Sequence, residues 1–180
     1  MIGKHQQAIS FAQKAKSLDP LTPIILRRLV YAYFYKGDYQ RALEAIEDAL
    51  ITTPDNRALL NFKGRVALVM GKNEEALLIA NKMPDYPKAI IEAMAYSKMG
   101  DKIKSNEALA ILIKRGAHDS AYQIAEVYCF RGETEQCLDW LETAYKQKDP
   151  GLVRLKIDPF LKPVSQENRF KELVSKIFIP

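Results

Sequence analysis

Glycine recurs along this chain at a nearly fixed interval, and the residues around each glycine recur with it. Gly3, Gly37 and Gly71 stand 34 residues apart, Gly100 follows after 29 and Gly132 after 32. Five residues beyond each lies a small side chain: Ala8, Ala42, Ala76, Ser105 and Cys137. The stretches GKHQQA, GDYQRA and GKNEEA show the likeness directly. Pro20 and Pro54 share the same interval and close their segments. Such a period admits few folds. Each unit is one small element that cannot bury its apolar face alone, so neighbours stacked in a row must do the burying.

Inside a unit the apolar spacing is helical. Leu26, Leu29, Val30 and Tyr33 precede Gly37; Tyr39, Ala42, Leu43, Ile46, Ala49 and Leu50 follow it. A unit therefore reads as helix, tight turn, helix. Glycine suits the turn because it enters the left-handed region at little cost. The small residue after it lets the two helices approach closely. Proline then ends the second helix.

This pattern resembles the tetratricopeptide repeat. Pro23 to Asn56 matches most fully, with Leu26, Val30, Tyr33, Gly37, Tyr39, Ala42, Ile46, Ala49 and Pro54 at the family's positions. Leu60, Gly64, Ala67, Gly71 and Ala76 carry the likeness over 57–85, where MPDYP cuts the second helix short. Ala93, Tyr96, Gly100 and Ser105 carry it over 86–117, and Ala125, Tyr128, Gly132, Cys137, Leu141 and Ala144 over 118–150. The resemblance implies an all-α fold, a right-handed superhelical solenoid of antiparallel helix pairs. Nine helices are expected between residues 4 and 147: a half repeat in 1–22, then repeats 23–56, 57–85, 86–117 and 118–150.

The two ends are irregular. Helix 4–19 lacks its pairing helix, so its stripe of Ala8, Ile9, Ala12, Ala15 and Leu18 is expected to be half covered. That suggests the C-terminal part of a longer protein, and a homodimer through the N-terminal end. Beyond 150 the period breaks, and Pro150, Pro159 and Pro163 punctuate a capping segment over 151–180. SQENRFKELVSKI reads as a last helix over about 166–177, with Ser165 as its N-cap and Phe170, Leu173, Val174 and Ile177 buried. This ending is similar to the terminal repeat and cap of bacterial multidomain proteins. There the array follows a winged-helix regulator, a nucleotide cyclase or a kinase domain, which implies a regulatory setting.

Composition excludes other classes. Apolar residues make up 48% and charged residues 27%, ordinary for a globular chain. The net charge of +5 is spread among acidic residues, with no like-charge run to suggest direct nucleic-acid binding. The most apolar stretch, PIILRRLVYAYFY, is cut by Arg27 and Arg28, too early to span a bilayer. The compartment stays open, cytoplasmic or, behind an upstream anchor, periplasmic. His5, His118, Cys129 and Cys137 have no metal-site spacing, and no cofactor is expected. GKNEEA lacks the upstream glycine and the Ser/Thr of a phosphate loop, and no nucleophile or metalloprotease motif occurs. The reading is non-enzymatic. Cys129 and Cys137 flank Gly132 at similar height on facing helices. Two packed thiols, a disulfide or a redox switch all fit that placement.

Function then lies in a surface. The first helix of each repeat is expected to line a concave face. Its candidates are Arg27, Tyr31, Phe34 and Tyr35, then Asn61, Arg65 and Leu68, then Ile90, Met94 and Ser97, then Tyr122, Glu126 and Cys129. Arginine and aromatic side chains at one end suit a protein or peptide partner carrying acidic groups. Tyr31, Phe34 and Tyr35 have a competing role in packing between repeats. Arg27 and Tyr31 stand where chaperone-binding members of the family place Lys and Asn, so that ligand is not implied. The alternative is a small-ligand sensor near Arg27, Tyr31 and Arg65, controlling an upstream DNA-binding or signalling domain.

Overall fold

The computed structural model of the chain describes residues 5–19 and 22–178, and these form α-helices and two 3-10 segments without any strand. Gly3 and Pro20, which set the first repeat interval, lie outside the described residues. The chain divides into two compact units, Met1–Pro84 and Asp85–Pro180.

The first unit holds α1 (His5–Leu18), α2 (Pro23–Lys36), α3 (Tyr39–Thr52), α4 (Arg57–Val69) and α5 (Asn73–Ala80). The α2–α3 hairpin shows how the repeat is made. Gly37 sits at φ 84°, and its N–H donates to the Phe34 carbonyl while Asp38 N–H donates to that of Tyr33. These bonds satisfy the last carbonyls of α2 and reverse the chain. Ala42 is fully buried where the two helices meet. Asn56 opens α4 by accepting from the Ala58 and Leu59 N–H groups, at 3.1 and 3.2 Å. The acidic residues of α3 reach sideways: Asp48 pairs with Lys16 on α1 at 2.8 Å, and Glu47 with Lys63 on α4 at 3.3 Å. α5 has only 8 residues, as the MPDYP interruption requires.

The second unit holds α6 (Asp85–Met99), α7 (Lys102–Gly116), α8 (Ala121–Arg131) and α9 (Thr134–Gln147). Two 3-10 segments, Pro150–Arg154 and Pro159–Val164, lead to α10 (Asn168–Ile177). Asp101 caps α7, accepting from Lys104 N–H at 3.1 Å. That bond, with the Lys104 ammonium beside it, holds the Asp101 carboxyl below its ordinary range. Ser105, at the small-residue position, donates its hydroxyl to the Ala93 carbonyl at 2.6 Å, which satisfies a buried polar group.

Cys129 and Cys137 are joined as a disulfide, with Cα atoms 5.1 Å apart across the Gly132 turn. Of the three arrangements open to them, the structure contains the cross-link. The expectation for Ser165 needs correction. Its hydroxyl donates back to the Lys162 carbonyl, closing the second 3-10 segment. Glu167 takes the N-cap position instead, and α10 starts at Asn168. The proline-rich 3-10 segment runs to Val164 and a turn follows it, so the helix starts three residues beyond Ser165.

Candidate functional site

In the first unit, α2 and α4 lie side by side and share an aromatic cluster. Tyr31 and Phe62 have ring centroids 4.3 Å apart, and Phe34 meets Phe62 edge-on at 5.3 Å. Tyr35 lies against Phe34 at 5.2 Å and near Phe62 at 6.4 Å. Phe34 is the fully buried base of this cluster, while Tyr31, Tyr35, Asn61 and Phe62 are half-buried and Arg27 and Arg28 are exposed. Phe62 was not among the sequence candidates. It directly follows Asn61 on the same first helix, and an aromatic there was the available signal.

Charge on these two helices is one-sided. α2 carries Arg27, Arg28 and Lys36, and α4 carries Arg57, Lys63 and Arg65, with no Asp or Glu in either. The carboxylates of the hairpin are Asp38 in its turn and Glu44, Glu47 and Asp48 on α3. Arg65 departs from its expected role. It is only 6% exposed, and its Nε donates to Asn61 Oδ1 at 3.0 Å, one helical turn back. It works as part of the packing of α4. Leu68 is buried too.

In the second unit the expected surface positions are withdrawn from solvent. Ile90 and Met94 on α6 are buried, and so are Tyr122, Glu126 and Cys129 on α8; Ser97 is half-buried. Tyr122 is the anchor of the cap. Its backbone N–H donates to Asp149 at 3.0 Å, and its hydroxyl donates to Asp158 at 3.1 Å. The Arg154 guanidinium lies 4.9 Å over its ring. A Cβ on Gly151 would sit 2.5 Å from the Tyr122 ring, so only glycine lets the first 3-10 segment lie this close. Asp149 and Asp158 also cap their own segments, through the N–H groups of Gly151 and Phe160. The signal for this network was in the sequence as two Asp-Pro pairs, Asp149–Pro150 and Asp158–Pro159.

Around Tyr122 gathers a core of Cys129, Cys137, Leu138, Leu141, Leu152, Leu155, Leu161, Val164, Phe170 and Leu173, with Trp140 packed at its edge. Arg169 fastens α10 to α9 through Glu135, Asp139 and Glu142, at 3.1, 2.6 and 2.8 Å. Those bonds, led by the one to Glu142, push the Arg169 pKa further up, so it stays a cation. Burial raises the Tyr128 hydroxyl pKa, as does the nearby Glu133, so it stays neutral through the physiological range.

Two clefts flank these structures. One, of about 340 Å³, is lined by Leu50, Pro54, Leu60, Lys63 and Ile79 among others. The second, of about 280 Å³, lies in the cap beside Lys156, Lys162 and Phe170. Among the described residues, no cluster of three or more His, Cys, Asp or Glu could hold a metal ion. No described helix is long and apolar enough to cross a membrane.

Comparison with known proteins now bears on these observations. Residues 27–90 match the family described as tetratricopeptide repeat. Over those residues the sequence follows the tetratricopeptide repeat. The tetratricopeptide structures it resembles include a thermophilic protein of Thermus thermophilus, at a TM-score of 0.65 and 18% identity. That match covers 89% of this chain and 92% of that one. A tetratricopeptide repeat protein from Parabacteroides merdae gives a TM-score of 0.64 at 20% identity, covering 96% of this chain and 77% of that one. At such identities the likeness concerns fold, and the all-α array of helix pairs expected from the glycine spacing is the fold found. In sequence, 58 residues are 38% identical to the small glutamine-rich tetratricopeptide repeat-containing protein 2 of Mycosarcoma maydis. That stretch is 32% of this chain and 16% of that relative.

Proposed function

We propose that this chain is a non-enzymatic interaction module that holds a protein or peptide segment bearing acidic groups on the α2/α4 face of its first unit. The observation that carries this is the charge asymmetry: two neighbouring helices without a carboxylate, on which Arg27, Arg28, Lys36 and Arg57 are exposed, beside half-buried tyrosines and a phenylalanine. Arginine pairs with carboxylate through a planar fork, and a rigid aromatic offers contact area at low entropy cost. Arg27, Tyr31, Tyr35, Asn61 and Phe62 form this surface. Phe34, Leu68, Ile90, Met94 and Tyr122 support the fold, and Arg65 holds Asn61 in place. The likeness of the 118–180 segment to the terminal repeat and cap of bacterial regulatory proteins supports a further step, a regulatory setting for the module.

The test is binding of the intact chain to matched acidic and basic peptides that carry an aromatic residue, followed by fluorescence anisotropy. Acidic peptides should bind better, and the preference should shrink as salt rises, since exposed charges are screened beyond about 8–10 Å at physiological ionic strength. Arg27→Glu should abolish the preference with no change in helicity. Equal binding of both peptide classes, or an unaffected Arg27→Glu variant, would refute the assignment.

A further inference from the structure

The cross-link and the cap of the second unit occupy one core. Cys137 stands five residues beyond Gly132, where Ala42, Ala76 and Ser105 stand in the other repeats, and all four are at most 1% exposed. The two helices of a repeat come close there, and the other repeats fill the position with a small side chain. Cys129 faces it across the turn and is equally buried. Both 3-10 segments pack on α8 and α9. Their Leu152, Leu155, Leu161 and Val164 share the cluster that holds the two cysteines. Phe160 also meets Phe130, the neighbour of Cys129, edge-on at 5.4 Å.

The bond and the seating of the cap therefore depend on each other. Bonded sulfurs approach more closely than two thiols can, and each thiol adds a hydrogen. A core packed as densely as a crystal takes up such growth only by moving a neighbour. The 3-10 segments are the neighbour held least firmly. Their own hydrogen bonds have the poorer geometry of a short 3-10 turn. Their hold on α8 includes two bonds from Tyr122, its N–H to Asp149 and its hydroxyl to Asp158. α10 is fastened separately, by Arg169 to three carboxylates of α9.

We propose that the Cys129–Cys137 bond is a redox latch on the cap. A dithiol reductant that cleaves it releases the two 3-10 segments from α8 and bares the face that holds Tyr122, while α10 stays tied to α9. The chemistry is thiol–disulfide exchange. One thiolate of the reductant attacks a cysteine sulfur, forms a mixed disulfide and expels the other cysteine as thiolate. The second thiolate of the reductant then displaces the remaining cysteine, and the reductant leaves as a cyclic disulfide. Its two electrons and two protons end on Cys129 and Cys137 as thiols. Because both cysteines are buried, the first attack waits for the segments to open, so the seated cap protects its own latch. The face released belongs to α8, and the proposal does not rest on the assignment of the α2/α4 face.

Dithiothreitol acting on the oxidised whole chain tests this. Samples quenched with an alkylating agent and weighed by mass spectrometry count the thiols. Trp140, the one tryptophan of the chain, packs at the edge of this core and reports on the cap by its emission. The rate of reduction should level off as dithiothreitol is raised, at the rate of cap opening, and Trp140 emission should shift to the red in step. Trypsin should cut the reduced chain after Lys156, between the two 3-10 segments, about tenfold faster than the oxidised chain, with helicity little changed. Tyr122→Phe keeps the ring and loses the bond to Asp158, so its disulfide should be reduced about tenfold faster. A rate that rises in proportion to dithiothreitol throughout overturns the proposal, as does a Tyr122→Phe variant reduced at the original rate. So does a reduced chain that keeps its resistance to trypsin at Lys156. Loss of the α8–α9 helicity on reduction overturns it too, since the bond is then a staple of the hairpin and not a latch on the cap.

Discussion

Helices α2 and α8, each the first helix of its repeat and one in each unit, hold equivalent places in the repeat and have opposite fates. Ten residues before its turn glycine, α2 carries the exposed Arg27, and α8 carries the fully buried Tyr122. Six residues before it, α2 offers the half-buried Tyr31, and α8 hides Glu126. The position is the same; what covers it differs. Behind α8 the chain runs into two proline-initiated turns, and these fold down onto Tyr122 through Asp149, Asp158 and Gly151. A repeat position is thus a surface or a core according to what the chain does next, and the repeat pattern alone cannot distinguish the two.

The comparison breaks most visibly at Tyr122. Tyr122→Ala removes a fully buried ring and the hydroxyl that donates to Asp158, so the second unit should lose about 3–5 kcal/mol in urea titration. A loss under about 1 kcal/mol would mean that the cap is only loosely held and that α8 resembles α2 after all. Next comes the cross-link. Replacing Cys129 and Cys137 together by alanine puts at 137 the small residue of other repeats but frees the unfolded chain, which should cost about 2–3 kcal/mol for so short a loop. Equal melting of the variant and the oxidised protein would show that packing alone secures the hairpin. The smallest effect is expected at Arg27. Arg27→Ala should change stability by less than about 0.5 kcal/mol, since the side chain is exposed and fills no core position. A larger loss would make α2 structural in the same sense as α8.

Most of the fold was open to reading from the sequence because glycine, small residue and proline recur at positions where geometry leaves no choice. Gly37 must take a left-handed backbone, and Ala42 must be small for α2 and α3 to touch. The surface was harder. Helical spacing identifies which residues share a side of α8, yet Tyr122 became core through contacts with Asp149 and Asp158, 27 and 36 residues away, which no local period encodes. Arg65 was misread for a similar reason: charge suggested solvent, while Asn61 one turn back gave it a partner inside the packing. The N-cap of α10 slipped from Ser165 to Glu167 because serine serves equally well to end a 3-10 turn. Phe62 was visible as a residue but not as a neighbour of Tyr31, since that pairing joins two repeats.

The disulfide also imposes an order of events. Its two sulfurs belong to residues at most 1% exposed, packed in the same core as Leu152, Leu161 and Phe170 of the cap. Residues 129 and 137 leave the ribosome before any of these. An oxidant therefore meets both thiols during the interval when the α8–α9 hairpin exists and its lid does not. Once the lid closes, neither oxidant nor reductant reaches the bond unless the end of the chain opens again.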